Sequence, residues 1–135
     1  MRLTLDSVKE AGKLVADDER YRIHDYDLGD LTISVTELKR GQETRGHSHD
    51  SNAEVYFFPG GRAIMEVGDE RFKVDRGAVL IPRGEFHKVV NRSKRSSLLF
   101  VSVFQGRREH TRARYGRAAA SARARRVEPS GRTSH

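Results

Sequence analysis

Apolar residues along the chain follow two different periods. Near the start, Val8, Ala11, Leu14 and Val15 recur three and four positions apart, which places them on one side of a helix. Ser7 and Glu10 suit the two ends of a capping box in front of that stripe, and Asp17-Asp18-Glu19 closes it. From Tyr21 onward the period shortens to two. Eight runs are predicted as strands: Arg22–Tyr26, Leu31–Lys39, Ala53–Phe58, Arg62–Val67, Glu70–Asp75, Ala78–Ile81, His87–Asn91 and Leu98–Gln105. Each is short, rich in β-branched or aromatic residues, and bounded by Gly, Pro, Asn or Asp. Gly68-Asp69 between two of them has the glycine-first order of a type II′ hairpin. Strands in succession without interspersed helices predict an all-β antiparallel double sheet or barrel.

The same alternation carries chemistry. Glu54, Tyr56 and Phe58 share one face of their strand, and Val55 and Phe57 the other. In Gly46-His47-Ser48-His49 an extended backbone points both imidazoles the same way. Glu54 follows across a bend, and His87 arrives after the turn Pro82-Arg83-Gly84. Three neutral imidazoles and a carboxylate form a ligand set for one divalent transition metal, whether Fe, Mn, Ni, Co or Zn. An octahedral ion so held keeps one or two positions for water or substrate. Glu37, in phase with Ile33 and Val35, is either a general base at the barrel mouth or the first exposed residue past the core. Tyr56 either reaches a bound ligand or packs as a core aromatic. Met65, Phe58 and Phe100 are further candidates to line the interior. Asn91 is expected to satisfy backbone at a strand end, and His24 to be a surface or interface residue.

Composition narrows this picture. With 135 residues one domain is expected, and the absence of cysteine removes disulfides and thiolate ligands. Acidic and polar residues come too early for a signal peptide, and Leu98–Phe104 is far shorter than the about 20 apolar residues of a membrane span. A cytoplasmic protein without membrane association is the expectation. Residues 1–106 hold 17 basic and 17 acidic residues, so the net +7 lies entirely in residues 107–135, with nine arginines against Glu109 and Glu128. That Arg/Ala-rich tail has no apolar stripe and is expected to be disordered. Its arginines invite weak non-specific binding of nucleic acid or other anions, while Tyr115 alone is available for base stacking.

Residues 41–61 read Gly41, five residues, His47-x-His49, four residues, Glu54, six residues, Gly61; residues 82–91 read Pro82-x-Gly84, two residues, His87, three residues, Asn91. These resemble the two motifs of the cupin superfamily, with Arg76-Gly77 where cupins usually carry Gly-Asp. The resemblance spans roughly residues 30–105. It implies a jelly-roll barrel with His47, His49, Glu54 and His87 on one internal metal, and a homodimer, for which Arg22–Tyr26 and Leu31–Lys39 are the expected interface. The expected organisation is an N-terminal helical segment (1–20), a cupin barrel (21–106) and the Arg-rich tail (107–135).

Thr44-Arg45-Gly46-His47-Ser48-His49 with Ala53-Glu54-Val55-Tyr56, and Val79–Pro82 with Phe86–Asn91, are further similar to the cupin-type phosphoglucose isomerases. Glu43 stands where those enzymes carry lysine, and four residues rather than six separate His49 from Glu54. The resemblance implies isomerisation of a small polar carbonyl compound such as a sugar phosphate, with Glu54 or Glu37 moving a proton. Arg45, Lys88 and Arg83 are positioned to attract an anionic substrate. A metal-dependent dioxygenase and a non-catalytic metal or small-molecule binding module are the alternative expectations.

Overall fold

The computed structural model describes residues 2–49, 52–106 and Arg108. Its elements in chain order are α1 (Leu5–Ala11), β1 (Lys13–Asp17), β2 (Tyr21–Asp27), β3 (Leu31–Leu38), β4 (Glu54–Phe58), β5 (Ala63–Val67), β6 (Glu70–Val74), β7 (Gly77–Ile81), β8 (His87–Asn91) and β9 (Leu98–Gln105). All eight expected strands are present within a residue of their expected ends. They form two antiparallel sheets, one of six strands in the order β1-β2-β3-β9-β4-β7 and one of three in the order β6-β5-β8. This is the double-sheet layout of a jelly roll. Val67 pairs with Glu70 around Gly68-Asp69, and Gly68 has φ of +59°, as the expected hairpin requires.

The N-terminal segment departs from expectation. Thr4, not Ser7, is the N-cap: its hydroxyl accepts from the Ser7 amide at 3.0 Å while Ser7 Oγ accepts from the Thr4 amide at 2.8 Å. The capping box therefore sits one turn earlier than the Ser7/Glu10 reading. Gly12 ends the helix, and Leu14 and Val15 belong to β1, where Leu14 pairs with His24 and Ala16 with Ile23. So short a helix has little stability of its own, and the open edge of β2 offers the following residues a full ladder of hydrogen bonds. Lys13–Asp17 is thus bound into the large sheet as β1. With β1 added, β2 and β3 are paired on both sides.

A second departure is the phase of β3. Thr32, Ser34 and Thr36 share a face with their partners Phe104, Ser102 and Phe100, which turn inward with Glu54 and Tyr56. Ile33, Val35 and Glu37 point outward, where α1 packs on β2 and β3 and Lys9 lies 3.5 Å from Glu37. The apolar phase is satisfied there by α1, and Val8 and Val35 are both buried. The polar phase faces the interior because part of that interior is a cleft.

The rest of the interior is apolar. Leu38, Phe58, Met65, Val89 and Leu98 join both sheets in one cluster, each almost wholly buried. Asn91 closes that end: its amide nitrogen reaches the carbonyls of Leu38, Lys39 and Ser96 at 3.1, 3.2 and 2.9 Å. This is the backbone role expected of it. The 109–135 part of the tail, with His110, Tyr115 and His135, lies outside the described residues. Among the described residues no helix is long and apolar enough to cross a membrane.

Candidate metal centre

Four segments bring the site together. His47 and His87 exchange backbone hydrogen bonds, N–H to O, at 3.1 and 2.9 Å. Gly84 N–H donates to the His49 carbonyl at 2.6 Å, so the His-x-His segment is stitched to the turn that leads into β8. Gly46 makes this approach possible. Its φ is +83°, and a Cβ there would stand 2.5 Å from Phe86 Cζ. Glu54, the first residue of β4, enters from the inner face of the large sheet, between Phe104 of β9 and Ile81 of β7.

One donor atom from each of His47, His49, Glu54 and His87 lies within 4.8 Å of every other. Glu54 Oε1 stands 3.2 Å from His49 Nε2 and 3.4 Å from His87 Nε2. His87 Nδ1 is 2.9 Å from the Glu85 carbonyl, which only accepts, so Nδ1 carries the proton. Its Nε2 is then a bare lone pair aimed at a carboxylate. The Nε2 atoms of His49 and His87 and Oε1 of Glu54 are all buried without a hydrogen bond. Such a concentration of lone pairs is costly in a protein interior unless a cation lies among them. The residues present fit a divalent ion, and the Glu85 carbonyl supplies the outer contact that orients a metal-binding imidazole.

The electrostatics agree. Burial, reinforced by the neighbouring His87, holds the His47 imidazole well below the ordinary histidine range, in its neutral ligand form. Burial, followed by the charge of Glu54, pushes the Tyr56 phenol well up, so its hydroxyl keeps its proton at neutral pH.

Beside the four residues lies a cleft, lined in part by His47 and Glu54. Tyr56 and Phe100 line it as expected, stacked with ring centroids 5.4 Å apart, and the Tyr56 ring meets His87 edge-on at 5.5 Å. Phe58 and Met65 belong to the apolar core and not to the lining. Glu37 is not brought to the site, since it faces Lys9 on the outside. Arg45 stands at the mouth, its Nη2 3.4 Å from Asp18. Lys88 pairs with Glu43, and Arg83 is exposed outside the lining. His24 is half-buried on the outer face of β2, opposite Val35.

Sequence reasoning missed two groups in the cleft. The hydroxyls of Ser34, Thr36, Thr44 and Ser102 line it; the polar phase Thr32-x-Ser34-x-Thr36 of a core strand was their signal. Arg108 carried no signal, because one arginine in an Arg-rich tail looks like the rest. Its Nε donates to Asp25 Oδ2 at 2.6 Å, and its Nη2 to Asp25 Oδ1 at 3.3 Å and to Ser34 Oγ at 3.2 Å. Its guanidinium lies over Phe104, 5.2 Å from the ring centroid.

The sequence profile described as Cupin domain matches residues 34–104, more than half of the chain. Among solved structures, KdgF from Halomonas sp. superposes with a TM-score of 0.65 at 17% identity, over 76% of this chain and 93% of that one. Oxalate decarboxylase from Bacillus subtilis at pH 4.6 gives 0.65 at 18% identity, over 74% of this chain. The formate complex of the Lactobacillus farciminis enzyme gives 0.65 at 20%, over 73%. This chain spans only 28% and 32% of those two decarboxylase chains. No curated protein sequence matches.

Proposed function

The chain belongs to the cupin domain family, and we propose that it is a metal-dependent enzyme isomerising a small polar carbonyl compound. The observation that carries this reading is the buried convergence of His49, His87 and Glu54 donor atoms at 3.2 and 3.4 Å, opening onto a cleft lined with hydroxyls. His47, His49, Glu54 and His87 would hold one divalent transition metal. A metal so held supplies Lewis-acid polarisation of a substrate carbonyl. Ser34, Thr36, Thr44 and Ser102 offer donors and acceptors suited to a polyhydroxy compound. Tyr56, protonated and beside Glu54 in the lining, is a hydrogen-bond donor to the substrate oxygen. Glu54 is the carboxylate nearest to it for moving a proton, because Glu37 is turned away.

The test starts with metal content, expected at one ion per chain and lost in His47→Ala and His87→Ala. Stoichiometric metal in both variants would overturn the site. The loaded protein is then given aldoses, ketoses and their phosphates under argon. Interconversion without oxygen is expected. Oxygen uptake on an organic substrate would replace isomerisation with dioxygenase chemistry. Release of CO₂ from oxalate would instead give it the activity named for its structural neighbours from Bacillus subtilis and Lactobacillus farciminis. Tight ligand binding with no turnover on any substrate would make the chain a binding module.

A further inference from the structure

Arg108 is an ion-paired guanidinium inside the cleft rather than part of a solvated tail. Its side chain and that of Asp25 are each only 9% exposed. Burying such a pair is at best weakly stabilising, since desolvation offsets the attraction between the two charges. Four features fit recognition better than stability. Arg108 lines the same cleft as His47 and Glu54. Asp25 grips two of its nitrogens and Ser34 accepts from one, which fixes the plane of the fork. The guanidinium lies over the Phe104 ring, and that ring stacks with the His49 ring at 6.2 Å between centroids, so one aromatic ring contacts both Arg108 and a candidate metal residue.

The fourth feature is the charge balance. Asp25 offsets Arg108, and Asp18 offsets Arg45 at the mouth. A divalent ion held by three neutral imidazoles and Glu54 would leave one positive charge uncompensated beside the cleft.

We propose that Arg108 is a specificity-determining residue that recognises an oxyanion, a carboxylate or phosphate, on the small molecule bound at the metal. This inference rests on the metal-dependent reading above and names the class of compound that site takes. Asp25 and Ser34 act as positioning residues for the guanidinium. A neutral carbonyl compound of the same size is correspondingly disfavoured.

The test uses the full-length protein, with and without metal, titrated calorimetrically with malonate, inorganic phosphate and neutral glyceraldehyde. The variants are Arg108→Met, Arg108→Lys and the double variant Asp25→Asn/Arg108→Met. The double variant leaves no unpaired buried charge and guards against simple misfolding. Wild type is expected to bind malonate or phosphate more tightly when metal is present, and the tighter of the two anions identifies carboxylate or phosphate. Both Met variants are expected to weaken that binding at least tenfold while keeping one metal per chain, with partial recovery in Arg108→Lys. Glyceraldehyde affinity is expected to be unchanged throughout. Equal anion affinity in wild type and the double variant would overturn the proposal. So would metal-loaded wild type that prefers glyceraldehyde to both anions. Wild type that holds no metal would instead overturn the reading on which the proposal rests.

Discussion

The two ends of the interior are built from the same strands and filled in opposite ways. At one end Leu38, Phe58, Met65, Val89 and Leu98 interlock, and Asn91 satisfies the carbonyls that the packing would otherwise strand. At the other end the same strands present Ser34, Thr36, Ser102, Glu54 and His87, with unsatisfied donor atoms facing one another. The first end is packed and satisfied; the second gathers donor atoms that fit a cation. Burial without partners is costly, so natural folds confine it to where a ligand repays it. The contrast locates stability at one end of the fold and chemistry at the other.

The sharpest way to break this division is Phe58→Ala at the dry end. It should cost about 3–5 kcal/mol of stability, read from urea unfolding, while folded molecules keep their metal. A loss of metal equal to the loss of stability would mean that the two ends are one unit. Glu54→Gln at the wet end should do the reverse. Metal affinity should fall by more than about 100-fold, above the usual cost of losing only an outer contact to a ligand. Stability in chelator should move by less than about 1 kcal/mol. A large loss of stability in chelator would show that Glu54 holds the fold together and not a metal.

Asn91→Ala should cost about 1–3 kcal/mol by stranding buried carbonyls, with metal content unchanged. A neutral result would remove Asn91 from the stable end.

The smallest expected effect lies on the β1–β2 turn, where Asp18 meets Arg45 at the cleft mouth. Asp18 accepts from the Arg20 and Tyr21 amides at 2.8 and 3.2 Å. Partial burial raises its carboxyl, but these bonds and Arg45 more than offset it, leaving the group below its ordinary value of 3.8. The unfolded chain therefore takes up the proton first as pH drops. The contribution of Asp18 is full above that ordinary value and is lost as pH falls through the folded one. Asp18→Asn should remove under about 1 kcal/mol at neutral pH and flatten the acid limb of the unfolding curve. An acid limb unchanged from wild type would assign it to other carboxylates.

Much of this protein is determined by local sequence. Strand existence follows from period-two patterning bounded by turn residues, and those are short-range properties, so the strands from β2 to β9 were legible. The four ligand types at their spacing were legible for the same reason. The helix cap was misread because Ser7 serves equally as N-cap or N3, and only the docking of α1 on β2 and β3 selects between them. The direction of β3 was not legible. Its two faces are both buried, one under α1 and one around the cleft, so alternation shows two phases without saying which is inside. Glu37 was displaced from the site by that single ambiguity.

Arg108 marks the limit most clearly. It stands in a run of arginines, and nothing local distinguishes it from its neighbours. Only the closure of β2, β3 and β9 against one another brings Asp25, Ser34 and Phe104 to where one guanidinium can meet all three. The strands and the candidate ligand set follow from local pattern, because both are written in residue type and short spacing. Tertiary structure alone decided which polar groups share the cleft with that set, because that depends on strand pairing between residues as far apart as Asp25 and Arg108.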